Sequence, residues 1–235
     1  MLAIRRLMLI AAATAGISSC AAWPFGCKQI APDPNTAVPD SFVVAFETSR
    51  GRFDVMAHKD WAPIGADRFY QLVGAKHFDD VRFFRVVKDF VAQFGITGDP
   101  KVNAAWKIRC IADEPVKHPN ARGTIAYARG GPGTRSVQLF INLKANPKLD
   151  TLNTFGFPPI AEVVSGMDVV DSLYNGYGES APRSGSQPGR EVPSQDSIML
   201  QGTQYLKRGW PKMDYVRTAR VVKEWRGTSS STARR

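Results

Sequence analysis

The stretch "VRFFRVVKDFVAQFG", from Val81 to Gly95, sets one permanent charge, Arg85, inside an apolar run. Strict alternation along an extended strand places Arg85 on the same face as Val81, Phe83 and Val87. A guanidinium there is costly unless it is paired, hydrogen-bonded or acting on a ligand. Phe90, Val91 and Gln93 follow at once and add two apolar side chains and an amide. The chemistry open to such a set is a charge-assisted hydrogen bond delivered beside an apolar surface.

Other reaction classes find little support. His58, His77 and His118 lie in separate segments without metal-ligand spacing, so no metal is expected. No serine or cysteine stands in a nucleophile elbow with a base beside it. The glycine-rich "RGGPGTRS", from Arg129 to Ser136, lacks the lysine and helix of a phosphate loop and reads as a surface turn. No cofactor is expected. The formal net charge of +10 implies attraction to anionic surfaces, but the basic residues are scattered, with only modest runs in "KRGWPK" and "STARR". A nucleic-acid partner is therefore not expected.

The elements that must position Arg85 read as mainly β. "SFVVAFETSRGRFDVMA" predicts two strands joined by a turn at Ser49 to Arg52, and "APIGADRFYQLVG" predicts a short amphipathic helix with Pro63 in its first turn. Further strands are expected at Gly123–Arg129, Val137–Leu143 and Ile160–Val164, with a short helix in "SGMDVVDSL". Gly176 to Gln195 is dense in Gly, Pro and Ser and reads as an exposed loop. The following "SIMLQGTQYLKRGWPKMDYVRTARVV" predicts a strand, a short helix and a last strand.

At the N-terminus, Arg5 and Arg6 precede an apolar run from Leu7 to Ile17, as in an export signal and too short to span a bilayer. Ile17-Ser18-Ser19-Cys20 resembles the lipobox of bacterial lipoproteins, which implies lipidation of Cys20. Cleavage near Ala22, giving a soluble exported protein, is the alternative. The expected organisation is a signal peptide over 1–19, a flexible tether over 20–40, one domain over 41–222 and a disordered basic tail over 223–235. The expected location is the cell envelope, as a periplasmic membrane-anchored lipoprotein or a soluble periplasmic or secreted protein. Cys27 and Cys110 could pair in that compartment, although two isolated cysteines are the simpler reading.

Three motifs together resemble the cyclophilin-type peptidyl-prolyl cis/trans isomerases. "FFRVVKDFVAQ" is similar to the family's F-x-R-V followed by F-M-x-Q, and "YARGGPGTRSVQLFI" to its M-A-x-x-G-P-x-T-x-x-S-Q-F-F-I. Leu149-Asp150 followed by "AEVVSGMDVVDSL" is similar to its third. The resemblance covers about Phe42 to Val222 and implies a closed eight-stranded antiparallel barrel capped by short helices, with an outer groove for proline-containing polypeptides. It further implies Arg85 and Gln93 as catalytic, and Phe90, Val91, Ala128, Arg129, Gln138, Phe140 and Leu149 as substrate-binding. A monomer is expected. Val91 stands where the family commonly has methionine, Arg129 where it has asparagine and Lys148 where it often has tryptophan. Arg129 would then favour acidic residues beside the proline. The family's groove histidine has no clear equivalent, with Asn153 or Phe157 in its region. A groove that binds proline segments or acts as a holdase without turnover is the alternative function.

Overall fold

The computed structural model describes residues 27–30, 37–152, 154–178 and 193–227. The expected signal peptide, Cys20, Asn153, most of the Gly176–Gln195 loop and the end of the tail lie outside them. Along the chain run β1 (Lys28–Gln29), β2 (Ser41–Thr48), β3 (Gly51–His58), α1 (Pro63–Gly74), β4 (Arg85–Val87), β5 (Val91–Phe94) and α2 (Pro100–Lys107). There follow β6 (Arg109–Cys110), β7 (Thr124–Tyr127), β8 (Leu139–Asn142), a 3-10 turn (Pro147–Asp150), β9 (Pro159–Ser165), α3 (Met167–Asp171), α4 (Gln195–Gly209) and β10 (Val216–Trp225). Among the described residues, no helix is long and apolar enough to cross a membrane.

Eight strands form one antiparallel sheet in the order β10-β2-β3-β9-β7-β8-β5-β4. Period-two patterning creates its inner face: β2 buries Phe42, Val44 and Phe46, and β3 buries Phe53, Val55 and Ala57. Phe46 stacks on Phe53 at 5.0 Å and meets Phe94 edge-on at 6.0 Å, so rings from three strands interlock at the centre. At the two ends of the strand order the chain meets itself. Phe83 N donates to Asp214 O at 3.0 Å and Val216 N to Val81 O at 2.8 Å.

Helix α1 begins at Pro63, whose missing N–H costs nothing in the first turn, and buries Phe69, Leu72 and Val73 against the core. Its N-cap, Ala62, has no side-chain acceptor. Glu114 from a distant loop substitutes: Oε1 accepts from Ile64 N at 2.7 Å, and Oε2 from Gly65 N at 2.9 Å and Arg135 Nη2 at 3.0 Å. Helix α2 was not expected, yet its start was signalled. Asp99 accepts from Lys101 N at 2.8 Å, and Pro100 occupies the first turn.

Several expectations are corrected. "SIMLQG" is helix rather than strand, because Ile198, Gly202 and Leu206 bury at four-residue spacing. The helix kinks at Gly202, with φ 62°, where a Cβ would collide with the Gly98 carbonyl. Strand β10 runs to Trp225, past the expected domain end. Cys27 and Cys110 are not isolated. They form a disulfide with Cα atoms 5.7 Å apart across 83 residues, and it fastens β1, within the expected tether, parallel to β6. Nor does Arg85 share the face of Val81 and Phe83. Phe83 and Phe84 are both buried, the first in the main core and the second beneath α4 with Ile96, Ile198 and Leu206. That break in alternation returns Val86 to the core and turns Arg85 outward.

His77, 4% exposed, lies beside the Phe78 and Trp106 rings, with Nε2 donating to Gly95 O at 2.9 Å. Burial, opposed by that hydrogen bond and assisted by the Arg68 charge, lowers its pKa to about 4. Between that value and the unfolded value near ~6.5, the unfolded chain binds a proton that the folded chain refuses. Stability therefore falls as pH drops through this window, by up to about 3 kcal/mol, and levels off below it. Urea midpoints measured from pH 7 to pH 4 should show this slope, and His77→Gln should flatten it.

Candidate active site

Strand register assembles the outward face. Arg85 pairs with Gln93, Gln93 with Phe140, and Phe140 with Ala126, which makes one row across β4, β5, β8 and β7. Partners in register share a face, so all four side chains project away from the core that Ala92, Phe94, Leu139 and Ile141 fill. Val91 sits in the next row, opposite Val87 on one side and Asn142 on the other.

Arg85 is half-buried, and its Nη1 donates to Gln93 Oε1 at 3.2 Å. Gln93, 7% exposed, donates its own Nε2 to Gln138 Oε1 at 2.8 Å. A relay of two amides thus orients the guanidinium, whose Cζ lies 5.6 Å from the centre of the Phe90 ring. Beside it is an apolar cluster of Val91, Ala126, Phe140, Leu149 and Phe157, with Phe90, Ala128 and Leu152 packed partly against it. Phe140 and Phe157 meet edge to face at 5.7 Å. The arrangement can offer a cationic hydrogen-bond donor at the rim of an apolar seat. Among the described residues no group of three or more His, Cys, Asp or Glu could hold a metal ion.

Eight of the nine residues expected at the site meet here, and Arg129 does not offer its charge. Its side chain is 1% exposed; Nη1 pairs with Asp113 at 3.0 Å, Nη2 donates to Gly156 O at 2.7 Å, and Cζ lies 5.3 Å from the Phe157 ring centre. Burial pulls its pKa below the ordinary value, against the pull of Asp113. Arg129 is therefore a clamp on the loop that carries Phe157, and the expected attraction for acidic residues is withdrawn. Lys148 is exposed, next to the buried Leu149. The "RGGPGTRS" segment is a turn, as expected, with Gly130 N and Gly131 N both donating to Thr134 Oγ1 at 3.1 Å.

Sequence reasoning missed the polar cluster beneath the pocket. Asn142, fully buried, donates to Asn120 Oδ1 at 3.1 Å and Thr124 Oγ1 at 2.9 Å. Asn120 Nδ2 donates to Asp150 Oδ1 at 2.8 Å and to Phe157 O at 3.0 Å. Asn146 Nδ2 donates to Phe90 O at 3.0 Å and to Asn142 Oδ1 at 2.7 Å. Three pocket walls, Phe90, Leu149 and Phe157, are fixed in this way by hydrogen bonds to their own or adjacent backbone and side chains. The available signal was Asn142 itself, an amide between Ile141 and Leu143 inside a strand.

Removing one buried partner leaves others unsatisfied at a cost of about 1–3 kcal/mol. Asn120→Ala should lower kcat/KM about 5- to 100-fold, chiefly through KM as Phe157 and Leu149 lose their seat, and Asn120→Asp should recover less than half of the loss. Steady-state kinetics beside a thermal melt would check it.

Residues 43–201 match the family described as Cyclophilin type peptidyl-prolyl cis-trans isomerase/CLD. The chain is 32% identical over 168 residues to peptidyl-prolyl cis-trans isomerase B of Escherichia coli, covering 67% of this chain and 96% of that protein. It is 34% identical over 134 residues to an Arabidopsis thaliana peptidyl-prolyl cis-trans isomerase, covering 55% of this chain and 79% of the relative. A crystal structure of a cyclophilin type peptidyl-prolyl cis-trans isomerase from Cryptosporidium parvum superposes with TM-score 0.55 at 15% identity, over 78% of this chain and 99% of that one. A second structure of that protein, in the presence of the dipeptide Ala-Pro, gives TM-score 0.54 at 15% identity, over 77% of this chain and 99% of that one.

Proposed function

This chain belongs to the cyclophilin-type peptidyl-prolyl cis-trans isomerases, and from that premise we propose that Arg85 carries the reaction on X-Pro bonds of exported polypeptides. The activity itself, rotation about the prolyl amide, is that of the family. The observation that carries the mechanism is the Arg85 guanidinium held by Gln93 at the rim of the Phe140 and Leu149 pocket.

An amide resists rotation by about 20 kcal/mol because its nitrogen lone pair is shared with the carbonyl. Twisting localises the lone pair on the prolyl nitrogen, and a donor aimed at that nitrogen strengthens only as the twist develops. Arg85 is this donor. Phe90, Val91, Phe140 and Leu149 seat the pyrrolidine ring, while Ala128 and Gln138 lie along the groove beside the substrate backbone. Gln93 contributes by orienting Arg85. An ordinary turnover requires ~4 to 7 kcal/mol of barrier lowering, and one charge-assisted hydrogen bond contributes ~1.5 to 3. The dry, shaped pocket supplies the difference by holding the carbonyl side out of plane.

The sheet works as a closed barrel, a reading supported by the contacts of Val81 and Phe83 with Asp214 and Val216, so the floor of the site is rigid. The client class follows from the N-terminal sequence: Arg5, Arg6, the apolar run and Cys20 support export and anchoring by lipid at the periplasmic face of a membrane.

Arg85→Ala should reduce kcat about 10- to 100-fold in exchange NMR of an Ala-Pro peptide, with the peptide Kd changed less than about threefold. Equal losses in binding and turnover would reject the transition-state role, and a wild type that binds without turnover would favour the holdase reading. Cys20→Ser should move the protein from the membrane to the soluble envelope fraction.

A further inference from the structure

The described fold reaches its N-terminal limit at Cys27, where the disulfide to Cys110 fastens β1 to the body. Lys28 lies beside Arg109 in register, Lys28 N donates to Ile108 O at 3.0 Å, and Ile30 N donates to Cys110 O at 2.8 Å. Lys28 and Arg109 are exposed, and Ile30 and Ile108 beside them are 36% and 51% exposed. Arg109 also lies over Trp106 at 5.5 Å, close to Arg68, which lies over the same ring at 5.2 Å. Two neighbouring cations flanked by two exposed isoleucines complement a surface that is anionic outside and apolar a few ångströms deeper.

Chain length says which surface that is. Only the seven-residue step from Cys20 to Cys27 separates the lipidation motif from the disulfide, a reach of about 25 Å when fully extended. Without the disulfide the first main-sheet residue, Ser41, could stand about 70 Å from Cys20. A domain of this size is roughly 40 Å across. A tether of ~25 Å cannot reach around it, so the face opposite β1 cannot be turned to the bilayer.

We infer that the face formed by Lys28, Ile30, Ile108 and Arg109 rests on the anionic headgroups of the membrane that holds the anchor. The inference rests on the reading of Cys20 as the lipid-bearing residue. The disulfide acts as an orienting staple that commits one face to the lipid.

The test uses the lipid-anchored protein in vesicles of phosphatidylcholine with and without about 30% phosphatidylglycerol, treated with a membrane-impermeant amine reagent and read by mass spectrometry. With anionic lipid, labelling of Lys28 should fall about tenfold or more, while exposed Lys88, Lys144 and Lys212 keep their rates. Cys27→Ser should restore Lys28 labelling although the protein still floats with the vesicles, and its turnover of a soluble peptide should be unchanged. Uniform labelling in floating protein overturns the docking and leaves the anchor standing. Protein that does not float overturns both.

Discussion

The position of the Arg85 guanidinium depends on the side-chain carbonyl oxygen of Gln93, its partner across the strand pair, which is itself fixed by Gln138. A carboxylate in the place of Gln93 would hold the guanidinium more tightly and cancel much of the field that the proposed reaction draws on. The amide gives orientation at little electrostatic cost. Its position follows from pairing alone: Arg85 faces Gln93 and Gln93 faces Phe140 across three adjacent strands, so a one-residue slip would turn the donor into the core and the Phe94 ring into water.

The apolar seat is built differently. Val91, Ala126 and Phe140 stand on strands, but Leu149 and Phe157 come from a loop, which on its own would not hold a fixed wall. Its rigidity comes from below, through the hydrogen-bonded side chains of Asn120, Asn142 and Asn146, and from one flank through Arg129, clamped between Asp113 and the Gly156 carbonyl. Buried amides of this kind add little net stability. Each loop geometry other than the observed one would strand several donors, and that penalty is what selects a single shape.

The sequence displayed these two devices unequally. The gathering of Arg85, Phe90, Val91, Gln93, Phe140 and Leu149 on one face was legible because each belongs to a short motif. The β2–β3 hairpin and α1 were legible for the same reason, since a turn glycine and a first-turn proline act locally. What escaped depends on partners far along the chain. Cys27 and Cys110 are 83 residues apart. Arg129 reads as an exposed charge until Asp113 and the Gly156 carbonyl are seen around it. Asn120 and Asn146 are ordinary turn formers until the strand amide of Asn142 joins them. For Arg85 the premise itself changes: consecutive burial of Phe83 and Phe84, one on each side of the chain, breaks the alternation that had placed the charge inside.

In the proposed reaction the division of labour matches the energetics of turning an amide. Charge assistance at the prolyl nitrogen is limited to the strength of one hydrogen bond, about 1.5–3 kcal/mol, and therefore cannot account for an ordinary turnover. The remainder depends on shape, because an apolar wall can hold the ring while the carbonyl side rotates, and excluding water strengthens the single donor that remains. In the proposed mechanism the two contributions are carried by different parts of the chain, the first by strand register and the second by a polar cluster under a loop. Val91 belongs to both: its backbone extends the register that places Arg85, and its side chain, shorter and stiffer than a methionine, lines the seat. A change of side chain there would reshape the apolar seat while leaving the backbone pairing that places Arg85 intact.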